Sequence, residues 1–83
     1  MLTEKTKELI YPTRTTEEDE IMVMEVCQSA AGYYLGYMSI YHGPYSRESG
    51  YFKTYEEAAD TLVSWAWALT DQLEEVNRDE TVN

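Results

Sequence analysis

The chain is 83 residues long and sets 16 acidic side chains against six basic ones, for a net charge of −10 and an isoelectric point of about 4.3. Its 43% apolar fraction, with eight Tyr, two Trp and one Phe, is enough for one compact domain, which at this size buries only about 60–65% of its unfolded surface. The charge argues against direct binding to nucleic acid or anionic membranes. A single Cys27 excludes an internal disulfide, and Cys27 with the single His42 cannot build a zinc site within one chain.

In chain order, residues 1–20 are polar. Glu4, Lys5, Lys7 and Glu8 stand where a signal peptide would be apolar, and no stretch approaches a transmembrane span, so the cytoplasm, a reducing compartment, is the expected location. Leu9, Ile10 and Tyr11 form a short apolar patch closed by Pro12, which reads as an optional fourth edge strand. Residues 15–20 (TTEEDE) are a charged loop. Residues 21–28 (IMVMEVCQ) read as a strand, 29–32 (SAAG) as a turn and 33–41 (YYLGYMSIY) as a second strand, together an antiparallel hairpin. Gly43-Pro44 opens a second turn region that reaches Gly50, and residues 51–53 read as a short third strand.

Thr54-Tyr55-Glu56-Glu57 fits a capping box, with Thr54 as N-cap. The helix is expected to run to about Val76. The expected fold class is α+β: a three-stranded antiparallel sheet with one long C-terminal helix on one face. One domain spans 1–83, with 1–16 and 77–83 loose or partly ordered.

At 100° per residue, Ala58, Leu62, Trp65, Leu69, Leu73 and Val76 share one stripe, the expected core face. Asp60, Ser64, Asp71, Glu74 and Glu75 lie opposite, with Trp67 among them. Lying flat on its neighbours or under the N-terminal segment is one explanation for Trp67; an anchor for a partner is the other.

Strand alternation sorts the second strand into Tyr34, Gly36, Met38 and Ile40 on one side and Tyr33, Leu35, Tyr37, Ser39 and Tyr41 on the other. Gly36 suggests close helix approach, which assigns the first set to the helix side with Met22, Met24, Val26 and Phe52. The outer face then carries Tyr33, Leu35, Tyr37 and Tyr41 beside Ile21, Val23 and Tyr51. Such a patch suits a homodimer or second interface, unless the N-terminal segment folds back over it. Base stacking on it would need a basic surround, and only Arg47 and Lys53 lie near.

The chain holds no glycine-rich phosphate loop, no HExxH and no CxxC. Glu17-Glu18-Asp19-Glu20 lacks the spacing and glycine of a calcium loop. Glu56/Glu57 and Glu74/Glu75 are sequence neighbours on a solvated helix, not a cleft pair. Cys27 reads as a small strand hydrophobe and His42 as a turn residue. No catalytic residue, metal or cofactor is expected.

Two functional readings follow. In the first, Trp67, Asp60, Asp71, Glu74 and Glu75, with Glu17, Glu18, Asp19 and Glu20, meet a basic, nucleic-acid-binding surface of a larger protein. In the second, Tyr33, Leu35, Tyr37 and Tyr41 make a homodimer and the charge serves only solubility. In size, charge and compactness the chain resembles the small inhibitors of phages and mobile elements, anti-CRISPR and anti-restriction proteins among them. That resemblance rests on no motif, and no residue role is taken from it.

Overall fold

The structure is a computed structural model that describes residues 8–82, with side chains over 8–74. Strands β1 (Thr13–Thr15), β2 (Ile21–Val23), β3 (Glu25–Ser29), β4 (Gly32–Ser39) and β5 (Gly43–Arg47) precede one helix, α1 (Tyr55–Val82). The fold is α+β. β3, β4 and β5 form an antiparallel meander in that order, and β1 pairs with β2 in a separate two-stranded ladder.

The β3–β4 turn decides which side chains reach the core. Ser29 pairs with Gly32 across the two residues Ala30 and Ala31, so even-numbered positions of β3 oppose odd-numbered positions of β4: Val26 faces Leu35 and Gln28 faces Tyr33. Partners directly opposite each other point to the same face of a sheet. Leu35 and Tyr37 therefore join Met22 and Met24 against Ala58 and Leu62 of α1, with Val26, Tyr33 and Phe52 packed around them. Tyr33, Leu35 and Tyr37, expected on the outer face, are in fact on the helix side, whereas Ile21, Val23, Tyr41 and Tyr51 are exposed as expected. A one-residue change of register moves every side chain of a strand across the sheet, and the parity set by the two-residue turn is opposite to the one the expectation assumed.

Gly36 works on the other side. A Cβ there would collide with the Ser46 carbonyl oxygen and lie 3.1 Å from the Tyr34 ring. Glycine thus lets β5 close on β4 and lets Tyr34 lie along the face away from the helix. Tyr34 meets Tyr51 there edge to face at 5.8 Å, and the Arg47 guanidinium lies 4.8 Å above the Tyr51 ring.

The helix shares its face of the sheet with the β1–β2 hairpin. Arg14 pairs with Glu48 at 3.3 Å and sits 5.3 Å over the Tyr45 ring, while Glu20 bonds Ser39. These contacts lay the hairpin across the Tyr37–Ser39 end of β4, on the helix's own side of the sheet; the fold-back alternative puts the N-terminal segment on the opposite face.

Three strand assignments shift. Residues 21–28 are broken at Met24, whose N–H bonds the Pro12 carbonyl at 2.9 Å. The added N-terminal strand is Thr13–Thr15, after Pro12 and not before it. The third strand of the meander is Gly43–Arg47, and Phe52 makes only an isolated bridge to Tyr33. Pro44 is compatible with β5 because that strand is an edge, and the register there is shifted by a bulge between Tyr37 and Met38.

Thr54 caps α1: its hydroxyl accepts the Glu57 N–H at 3.1 Å. The buried helix positions are Ala58, Leu62, Ala66 and Thr70, spaced by four. On a helix of 3.6 residues per turn such a line drifts by about 40° per step, so it departs from the expected stripe. Two of the four are alanines, and Ala58 brings the helix backbone close to the core residues of the strands. Trp65 consequently lies at the flank, 36% exposed, and Leu73 is also exposed. The Val76 side chain lies outside the described residues, and the helix continues past it to Val82.

Candidate functional site

The charged loop 17–20 and the β4–β5 turn meet at one end of the molecule, and two buried hydroxyls build the junction. Thr16 closes the β1–β2 loop: its Oγ1 accepts the N–H groups of Glu18 at 3.3 Å and Glu20 at 3.0 Å. Its backbone exchanges bonds with Asp19 and Glu20, and Asp19 adopts φ 70°, a left-handed geometry that Asp tolerates. Ser39 does the matching work in the other turn, accepting the N–H groups of Tyr41 at 3.1 Å and His42 at 3.0 Å. Glu20 ties the two together, one carboxylate oxygen on the Ser39 hydroxyl and the other on the Ile40 N–H, each at 2.7 Å. These bonds, the Ser39 hydroxyl foremost, hold the Glu20 carboxyl below the ordinary carboxylate range.

This tip displays Glu17, Glu18 and Asp19 in solvent. It also holds Ile40 and Tyr41 out in water, 86% and 77% exposed. His42 lies 3.4 Å from Glu18. Of the expected site residues, the structure brings together Glu17, Glu18, Asp19, Glu20 and Tyr41. Ile40 was expected in the core; its signal in the sequence is the Ser39–Gly43 frame, a hydroxyl that can close a turn followed by a glycine, here at φ 75°.

The second acidic surface is on α1. Asp60, Asp71 and Glu74 are exposed there, with Trp67 41% and Val63, one turn earlier, 37% exposed. Trp67, Asp71 and Glu74 each take part in interactions of their own. The Glu75 side chain lies outside the described residues. Asp60 borders an open depression of about 640 Å³ with Lys53, Glu57 and Thr61. The tip's contacts run to the β4–β5 turn, whereas α1 is tied to the N-terminal segment by the Ile10 N–H, donated to Thr70 Oγ1 at 2.8 Å. The two acidic surfaces are therefore built separately.

The expected tyrosine interface is not a surface. Leu35 and Tyr37 are core residues and Tyr33 is half-buried; only Tyr41 is exposed. Cys27 is buried opposite Tyr34, and burial pushes its thiol up, with the nearby Glu25 carboxylate adding to the effect. His42 lies past the far end of β4, more than ~16 Å along the strand at about 3.3 Å per residue, so the two do not form a nucleophile–base pair. Among the described residues, no His, Cys, Asp and Glu side chains gather to hold a metal ion, and no helix is long and apolar enough to cross a membrane.

Comparison with known protein families, curated proteins and solved structures finds no match to this chain.

Proposed function

We propose that this chain is a small acidic binding protein that occupies a basic site on a larger protein, a site that ordinarily holds nucleic acid, and blocks it by placing carboxylates where phosphates would lie. An anti-defence inhibitor of the phage or mobile-element type, anti-CRISPR or anti-restriction, is the specific form of this reading.

The observation that carries it is how the two arginines of the strands are used. Arg14 is committed to Glu48 and Tyr45, and Arg47 to the Tyr51 ring and the Ser49 carbonyl at 2.7 Å. Among the described residues no Lys or Arg forms an ion pair with Glu17, Glu18 or Asp19. Their field is thus offset by no Lys or Arg partner among the described residues, and it would draw in a cationic surface.

Capture of host proteins on immobilised chain, followed by elution with salt and competition with nucleic acid, tests the reading. The expected result is a retained protein whose binding weakens steeply with added salt and is displaced by DNA or RNA. Retention indifferent to both overturns it.

A further inference from the structure

From the tip geometry, and resting on the reading above, we infer that the turn Ile40-Tyr41-His42, framed by Glu17, Glu18 and Asp19, is the face that meets the partner. The partner presents an apolar depression rimmed by Lys or Arg.

Scattered exposed apolar side chains are ordinary on protein surfaces. Here two adjacent ones, Ile40 and Tyr41, are the most exposed large apolar residues among those described, and Ile21, 71% exposed, directly follows Glu20, whose carboxylate holds the Ile40 N–H. They do not sit on a loose loop. Backbone N–H groups of Ile40, Tyr41 and His42 are all bonded, the first to Glu20 and the others to Ser39. A turn fixed in this way holds its apolar side chains in water before any partner arrives, so little ordering entropy is lost on docking. Tyr is well suited to anchoring, since its ring buries apolar area while its hydroxyl keeps a polar contact.

Charge chooses the occupant. Glu18 lies against the turn at His42, with Glu17 and Asp19 on either side of it in the same exposed loop, and among the described residues none of the three has a Lys or Arg partner, which favours a cationic rim and repels anionic lipid and a second copy of a chain that carries −10. The helix surface around Trp67 is the competing face, where Trp67 is 41% exposed against 86% and 77% for Ile40 and Tyr41.

The test is selection of random linear peptides displayed on phage against the full chain. Selected peptides are then measured on Tyr41→Ala, Ile40→Ser, the charge-neutral E17Q/E18Q/D19N, and Trp67→Ala. Circular dichroism and urea midpoints confirm that each variant is folded; Tyr41→Ala leaves the Ser39 and Glu20 bonds in place and serves if Ile40→Ser does not fold. Expected are peptides that combine Lys or Arg with an aliphatic or aromatic residue, bind Tyr41→Ala about tenfold or more weakly, lose affinity on E17Q/E18Q/D19N, and are indifferent to Trp67→Ala. Basic peptides that instead depend on Trp67 and ignore Tyr41 overturn the tip assignment and leave the proposed function standing. Enrichment of acidic peptides, or of none, overturns both. A concentration-dependent dimer in sedimentation that Tyr41→Ala abolishes assigns the tip to self-association and overturns the inference.

Discussion

Glu20 accepts the Ser39 hydroxyl at 2.7 Å across 19 positions of sequence, and the same carboxylate takes the Ile40 N–H. Because the ionised form makes both bonds, the folded-state pKa is lowered. A lowered carboxylate contributes stability that is complete above the ordinary glutamate pKa of about 4.3 and is lost as the pH falls through the lower folded value. Glu20→Gln is therefore expected to lower the urea midpoint at neutral pH and to converge on wild type in acid. Equal differences at pH 7 and pH 3 would count against the clamp.

Thr70 is a polar residue in the buried line of the helix. Its hydroxyl donates to the Ala66 carbonyl at 2.7 Å and accepts the Ile10 N–H at 2.8 Å, so a side chain that could only weaken the apolar stripe instead fastens the N-terminal segment to α1. Thr70→Val keeps the shape and removes both bonds, leaving the Ile10 donor without its acceptor, at a cost of about 1 kcal/mol. Thr70→Ser restores most of it. Hydrogen exchange at the Ile10 amide reads the same contact directly, with protection lost in Thr70→Val and kept in Thr70→Ser.

Much of this fold was legible because strong local rules act on it. The helix start follows from the Thr54 cap alone, and the hairpin turn was visible in SAAG. The inward set of β4 was also within reach: a two-residue turn fixes the parity of the pairing, and Val26 opposite Leu35 follows from it without any coordinates. Overlooking that parity turned Leu35 and Tyr37 from core into surface. Other features were not local. Trp65 left the core because the buried line steps by four along Ala58, Leu62, Ala66 and Thr70, set by tertiary contacts (the strands on Ala58 and Leu62, Ile10 on Thr70) that the helix pattern does not announce. Pro44 and Gly43 read as a turn because the edge position that tolerates proline depends on which strand lies outermost. At the candidate site, the acidic loop was plain from Glu17 to Glu20, whereas its junction with Ser39 and Ile40 is a long-range contact that no spacing announces.

Leu35 and Tyr41 form a contrast that tests the corrected faces. Leu35 is fully buried between the sheet and α1, and Leu35→Ala is expected to cost about 2–5 kcal/mol through lost burial and a residual cavity. Where the total stability lies near the lower end of the roughly 5–15 kcal/mol typical of folded domains, a Leu35→Ala loss at the upper end of its range leaves a substantial unfolded fraction. Tyr41→Ala is expected to change stability by no more than about 0.5 kcal/mol. Gly36→Ala falls with Leu35: the added methyl meets the Ser46 carbonyl, backbone that cannot swing away, so β5 must separate from β4. Chemical denaturation of the three variants checks the order; a Tyr41→Ala loss comparable with Leu35→Ala would contradict the face assignment.

Cys27 closes the other face of the sheet, and its chemistry should report on global opening. The thiol is buried, and burial, then the Glu25 carboxylate, raise its pKa. Burial likewise raises Tyr34, where charge on Cys27 is the next cause, and Tyr37, where Glu48 is. Groups whose folded pKa values are raised hold their protons longer in the native state, so their contribution is complete below the ordinary thiol value of about 8.5 and fades as the pH climbs through the folded values. Stability is thus expected to fall on the alkaline side, with Cys27→Ala delaying the onset. The thiolate is the reactive species, so alkylation of native protein at pH 8 should be far slower than in urea and should accelerate in Leu35→Ala. Labelling as fast in the native state as in urea would mean that the face carrying Cys27 and Tyr34 is open to solvent.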